Sequence, residues 1–586
     1  MNMKRYIPLF LLTLLACQET MSQKFATIKR GDKEVFAFRV SQADTVLFVD
    51  EADTTRYDYA AMQAQNDSLM RRTQQLAGLI NTDEHTLYTG KWEQKSFTAT
   101  GLSDNNAANR VTMHDVIAVP YLNAKIRFKL PPNYLAGVRH AALARDLSTN
   151  TYWFKDGDSM TFAANDRYYR ISLGHYENNT QLACPLDSVL KFMADGRMQF
   201  TYEPSDGRST IARNTDCQAY ADTLAWDANC VRILHTSDVH GDARRYENFC
   251  QYADYLGVDM SFVTGDLVAY NSSNGCDFIS RITKKYHTPT FICAGNHDVN
   301  GLTTNEQIYN AVIKDMAETY QYKCPKPNIA TQPYYHYDMP DKKLRIISLN
   351  LYDGGHPNNT GTICSIYQAQ INWFIGLLKE LLTDPQYEGY GVVVLMHAPE
   401  NPILWKNELS AFRQKTLGYW ETHKNINGTP ITLIINAFIA ATQGNESQAR
   451  INKIYYCTDY QSKMTTVNYT ADFTGKVNSN VEFIAYFTGH EHEDLIGYYS
   501  AYDGTSNNRY KQLISDVTCN ISIDGTSAYP YLTDPCDLPR NAGSITQDAF
   551  NYYVIDRQNK VLKVARIGSN YSTDKRERKT MVIPYK

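Results

Sequence analysis

Five short runs between Ser237 and His492 hold the residues best suited to chemistry. They are Ser237-Asp238-Val239-His240-Gly241, Gly265-Asp266-Leu267, Gly295-Asn296-His297-Asp298, Met396-His397-Ala398-Pro399 and Gly489-His490-Glu491-His492. Aspartate carboxylates and histidine imidazoles are ligands for divalent Zn, Mn, Fe and similar ions, and an asparagine carbonyl oxygen can join them. Two such ions about 3.5–4 Å apart clamp a phosphate and activate a water between them. One ligand must then be shared, and an aspartate does this well. In Asp238-Val239-His240 the alternate spacing points both ligands to the same side of an extended strand end. The glycines let the backbone turn sharply beneath the ions.

Such distant residues meet only if the elements before them end at one place. Each run follows an apolar stretch that reads as a strand: Val231 to Leu234, Met260 to Val263, Pro289 to Cys293, Gly391 to Leu395 and Phe483 to Phe487, with Leu344 to Leu349 as a sixth. Most are continuously apolar, as strands covered on both faces are. They alternate with longer mixed segments, which predicts a layered α/β fold. Ligands bind at the carboxyl ends of strands in open α/β sheets, so the five runs can converge on one crevice. A hairpin, Tyr552 to Ile555 and Val561 to Ile567 turned at Asn559, closes this region.

The five motifs in this order resemble the signature of the calcineurin-like metallophosphoesterase superfamily, over about residues 231 to 567. The resemblance implies a layered β-sandwich flanked by helices and hydrolysis of phosphate mono- or diesters. It implies two divalent ions (Mn, Zn, Fe or similar). Asp238, His240 and His492 would hold the first, Asn296, His397 and His490 the second, and Asp266 would bridge them. His297 matches a position that is not a ligand but faces the leaving-group oxygen as general acid, with Asp298 orienting it from behind. The nucleophile it implies is a metal-bridging hydroxide attacking phosphorus in line, with no covalent phosphoenzyme.

Departures from relatives narrow the subfamily. Ser/Thr protein phosphatases read GDxVDRG and GNHE, whereas here the second motif continues Leu267-Val268-Ala269-Tyr270 and the third ends in Asp298. Purple acid phosphatases place a tyrosine ligand three residues after the bridging aspartate, and that position here is Ala269. Arg244 and Arg245, soon after the first motif, could reach a phosphate but read more readily as solvated helix residues. Two inserted regions flank the motifs. Residues 301–340 are rich in tyrosine (Tyr309, Tyr320, Tyr322, Tyr334, Tyr335, Tyr337), and the insertion 401–480 holds Trp405, Trp420 and the apolar run Ile431 to Ala441. Aromatics there either stack on a substrate or pack the insertions.

Residues 24–222 read as a β-rich N-terminal domain, with strand-like stretches such as Phe25 to Ile28, Val116 to Val119 and Tyr168 to Leu173. One helix near 59–80 carries Met62, Leu69, Leu76 and Ile80 on one face. Its histidines, His85, His114, His140 and His175, are scattered and read as structural. The polar stretch Pro204 to Asp227 predicts the boundary, leaving 228–586 to the domain with the motifs.

Residues 1–17 read as a lipoprotein-type signal peptide: Lys4 and Arg5, the apolar run Ile7 to Leu15, then Leu14-Leu15-Ala16-Cys17. This resembles the lipobox of bacterial lipoproteins and predicts export, with a lipid anchor at Cys17 in an outer-membrane or periplasm-facing position. The 12 cysteines leave an odd number once Cys17 is set aside, and none forms a CxxC pair. A net charge of -4 gives no global attraction to nucleic acid. The expected partners are therefore a phosphate-ester substrate and a membrane. The competing expectation is a surface adhesion lipoprotein whose phosphoesterase domain is catalytically silent.

Overall fold

The computed structural model describes residues 92–97, 106–114, 124–141, 151–163, 168–202, 208–241, 243–268, 273–325, 332–355, 364–398, 430–458, 463–490, 544–568 and 580–585, together with short strands and single residues between them. The chain divides into two compact units, Met1–Asp67 and Ser68–Lys586. Of the first, an antiparallel hairpin is described, Phe25–Arg30 with Lys33–Arg39. Cys17, with residues 1–17, and the helix expected near 59–80 lie outside the described residues.

In the second unit, the strands expected from apolar runs form with nearly the expected bounds. They are Val231–Thr236 (β1), Met260–Val263 (β2), Thr290–Ile292 (β3), Leu344–Ser348 (β5) and Gly391–Leu395 (β6), and Tyr335–Met339 (β4), inside the 301–340 insertion, is a strand that the sequence did not announce. Later come Ile403–Lys406 (β7), Phe412–Lys415 (β8), Arg450–Thr458 (β9), Met464–Asp472 (β10), Glu482–Thr488 (β11), Leu495–Tyr502 (β12) and Arg509–Thr518 (β13). Ala549–Asp556 (β14), Val561–Gly568 (β15) and Thr580–Pro584 (β16) complete the series. Every residue of β1, β2, β3, β5, β6 and β11 is buried, which is the signature of strands covered on both faces.

One sheet has the order β3-β2-β1-β14-β15-β16 and the other β4-β5-β6-β11-β13-β12-β7-β8. Pairing is parallel across β1, β2 and β3, and across β5, β6 and β11. The two sheets face each other over shared side chains. Phe487 of β11 meets Phe262 of β2 at 4.9 Å between ring centres and Tyr553 of β14 at 5.2 Å. Helices Ala243–Leu256 (α1) and Ser273–Thr283 (α2) make the crossovers of the first sheet. Gln368–Thr383 (α3) precedes β6, and Pro430–Thr442 (α4) belongs to the 401–480 insertion. Eleven residues of α4 are buried. The apolar run Ile431 to Ala441 is thus packing, a fully apolar helix laid into the core. The tyrosines of 301–340 answer the same way. Tyr322 and Tyr335 stack at 3.8 Å, Tyr334 and Tyr335 are buried, and Tyr335 Oη donates to the Ile292 carbonyl at 2.7 Å.

Between Trp92 and Tyr202 a separate apolar core forms, built on Val111, Ile126, Phe128, Ile171 and Phe200. Its strands lie in antiparallel sheets, one centred on the pair Tyr134–Ala141 and Tyr168–Glu177. The fold is therefore α/β, with two facing sheets, flanking helices and a β-rich N-terminal region. Truncating the side chain that joins the two sheets, Phe487→Ala, should cost about 3–5 kcal/mol of unfolding free energy. Urea denaturation followed by fluorescence measures this.

Candidate metal centre

The parallel strands end together, and their loops stay laced for several residues beyond. Thr264 N–H donates to Thr236 O, Asp238 N–H to Gly265 O and His240 N–H to Asp266 O, at 2.8–3.0 Å. On the second sheet Met396 N–H donates to Phe487 O and Gly489 N–H to His397 O. Ten non-glycine residues among those described have a clearly positive φ, and four are Asp238, His240, Asp266 and His490. A left-handed conformation costs about 1–3 kcal/mol for a non-glycine residue, so the surrounding bonds must over-determine it. Gly295 and Gly489 are required for close approach rather than for the expected turn. A Cβ on Gly295 would overlap the backbone and carboxylate of Asp266, and one on Gly489 would overlap Ser237.

These loops bring the candidate ligands to one point. Asp266 is 1% exposed in its side chain, and its Oδ2 lies 3.3 Å from His397 Nε2, 3.8 Å from His240 Nε2 and 3.9 Å from His297 Nε2. Its Oδ1 accepts the His297 N–H at 2.8 Å. Among the described residues, Asp266 stands in both of the clusters whose ligand atoms lie within 4.8 Å of one another, His240–Asp266–His297 and Asp266–His397–His490. Asn296 Oδ1 is 2.9 Å from His397 Nε2 and 3.0 Å from His490 Nδ1, which are themselves 3.2 Å apart. Asp238 accepts the His490 N–H on both carboxylate oxygens, at 2.9 and 3.1 Å, and lies 3.9 Å from His240 Nε2. His492 lies outside the described residues.

The donor set fits a cation. His397 Nδ1–H donates to the Thr264 carbonyl at 2.7 Å, so a neutral ring turns its Nε2 lone pair toward Asn296 Oδ1. The Asn296 oxygen, the His397 nitrogen and Asp266 Oδ2 then point lone pairs at one another, which a shared proton or a positive ion relieves. Ligand atoms about 2.0–2.2 Å from an ion stand about 3 Å apart, which is the spacing found. Burial opposes a charge on His397, yet the charge and hydrogen bond of Asp266, aided by Asp238 and the Thr264 carbonyl, push its pKa up to about 9. Asp266 is also opposed by burial, but His397, His297 and His240 hold it well below the usual carboxylate range.

Asp298, expected to orient His297, bonds to the backbone of the loops. It is fully buried, and its two oxygens accept the backbone N–H groups of Val268 at 3.0 Å and Gly295 at 2.8 Å. It therefore ties the second motif's loop to the third. Burial, then the charge of Asp266, raises its pKa to about 7 against the pull of those two N–H groups. Arg245 also differs from expectation. It is buried rather than solvated, and its charge acts on Asp548, whose carboxylate accepts from Tyr252 Oη. The Arg244 side chain and Ala269 lie outside the described residues. Sequence reasoning missed Thr264, because its part is played by a backbone carbonyl that no residue type announces.

The exposed side of the centre is formed by His240 and His297, whose side chains are 15% and 27% exposed and whose rings meet edge to face at 4.7 Å. His397 and Asp238 are wholly covered.

Residues 231–429 match the family model described as Calcineurin-like phosphoesterase. The match includes Asp238, His240, Asp266, Asn296, His297 and His397, and stops short of His490. No curated protein matches the chain. Among solved structures, a dimetal phosphatase from Danio rerio aligns at 10% identity and a TM-score of 0.34, covering 61% of this chain and 99% of that one. A protein from Thermus thermophilus aligns at 15% identity and 0.22, covering 41% and 98%. A phosphopantetheinyl hydrolase from Mycobacterium tuberculosis aligns at 12% identity and 0.22, covering 52% and 95%.

The raised His397 pKa has a stability consequence for metal-free protein. A histidine raised from 6.5 to about 9 contributes stability in full below pH about 6.5 and loses it as the pH rises through about 9. Melting temperatures of chelator-treated protein should fall across that window. Saturating Mn or Zn should raise them most at the alkaline end, because ion and proton compete for Nε2.

Proposed function

We propose that this chain is a dinuclear-metal phosphoesterase, hydrolysing phosphate mono- or diesters. The observation that carries this reading is Asp266 standing in both ligand clusters at once. The family match over residues 231–429 supports the same class of chemistry. Asp238, His240 and His492 would hold one ion, Asn296, His397 and His490 the other, and Asp266 both. When bound, two divalent ions neutralise phosphate charge and activate the attacking water.

The chain's own groups set the rest. The His297 N–H fixes the rotamer of Asp266, and the His490 N–H fixes that of Asp238. Thr264 holds His397 in the tautomer that leaves Nε2 free to bind. His297, more exposed than the neighbouring His240, would give its proton to the departing ester oxygen. The covered Asp298 is assigned to loop positioning rather than to proton transfer. Export, with a lipid tether at Cys17, is proposed from residues Lys4 to Cys17 alone.

Purified protein with Mn or Zn should cleave p-nitrophenyl phosphate or its bis-ester. Asp266→Asn should abolish turnover, because it removes the anionic ligand that both ions would share. Unchanged turnover in that variant overturns the mechanism. His297→Ala should slow alkyl esters by about 10²–10⁴-fold and the activated nitrophenyl ester much less. An equal loss on both argues against proton donation.

A further inference from the structure

His235 lies inside β1, in the layer between the two sheets, and is fully buried. Its ring meets Phe487 edge-on at 5.3 Å and Tyr553 at 6.0 Å. Its Nδ1 has no hydrogen-bond partner. A buried polar atom left unpaired costs about 1–3 kcal/mol, whereas a phenylalanine of similar shape would carry no such cost. A polar side chain kept at such a cost in an apolar layer calls for a compensating role.

The one bond the ring does make shows where that role lies. His235 Nε2 pairs with Thr264 Oγ1 at 2.8 Å. Thr264 is otherwise committed through its backbone. Its N–H donates to Thr236 O at 3.0 Å, and its carbonyl accepts Ser237 Oγ at 3.0 Å and His397 Nδ1 at 2.7 Å. That carbonyl belongs to the peptide unit shared with Gly265, whose φ is +93°. Glycine itself puts little restraint on this peptide plane, and a rotation of it would turn the carbonyl away from His397. The side-chain bond to His235 restores the stiffness that Gly265 gives up. Thr264 is also a point where the first sheet bonds to a candidate ligand carried by the second. The register of His397 against Asp266 and Asn296 therefore depends on it.

We propose that His235 is a positioning residue for the metal centre, acting through Thr264 on His397 and so on the affinity of one of the two ion sites. This rests on the reading of His397 as a ligand given above. The ring touches neither substrate nor ion. Groups that orient a ligating histidine typically change metal affinity by about 10–100-fold when removed.

The test is calorimetric titration of the full chain with Mn, in competition with a chelator. Wild type should show two binding steps. His235→Phe, which keeps the aromatic packing, and Thr264→Val, which keeps the side-chain shape, should each weaken one step about 10–100-fold and leave the other in place. His235→Gln, whose amide reaches to where Nε2 stands, should restore most of the loss. Unchanged affinities in both His235→Phe and Thr264→Val overturn the inference alone. So does an equal loss at both steps, or a loss that His235→Gln does not restore, since either marks His235 as a general packing residue. A wild type that binds no Mn overturns the inference together with the reading on which it rests.

Discussion

Asp266 carries its charge at a place with almost no access to water, and three imidazoles converge on one of its oxygens. A carboxylate so buried must find compensating positive charge, and in low dielectric the partners must be held in place. Much of the surrounding architecture follows from that demand. His240 comes from the end of β1, His297 from the loop after β3 and His397 from the end of β6, so two sheets must terminate at the same level. The Phe487 contacts that lock the sheets face to face are thus part of the electrostatics of the centre as well as of the core.

The cost of this arrangement is visible in the backbone. Asp238, His240, Asp266 and His490 all have left-handed φ. Such conformations persist because neighbouring loops bond to one another: Asp238 to the His490 N–H, Asp298 to Val268 and Gly295, Thr264 to His397. Gly295 and Gly489 allow that contact, since a side chain at either would occupy space already held by Asp266 or Ser237. Rigidity here comes from polar ties between loops rather than from apolar burial. Pre-formed ligand geometry is what a site loses first when its supporting contacts are loosened.

The half that carries the candidate metal centre was largely legible in the sequence, for two physical reasons. Strands covered on both faces read as unbroken apolar runs, so β1, β2, β5 and β6 could be drawn nearly to the residue. Ligand chemistry also restricts residue type, so carboxylates, imidazoles and one amide just past those strands stood out. What stayed hidden depends on backbone atoms and on burial. Asp298 looked like a partner of His297, and the bonds its oxygens make, to the Val268 and Gly295 N–H groups, follow from loop conformation that no residue type announces. Tyr322 and Tyr335 looked equally suited to stacking on a ligand, and only their mutual stacking shows them to be packing. Arg245 read as a solvated helix residue because the balancing Asp548 lies about 300 residues away in sequence.

The central claim is that Asp266 holds two ions at once. Crystals grown with Mn and measured at the Mn absorption edge test it directly. The account predicts two anomalous peaks per chain, about 3.5–4 Å apart, one on the His240 side of Asp266 and one between Asn296, His397 and His490. A single peak, or a pair that does not share Asp266, would contradict it.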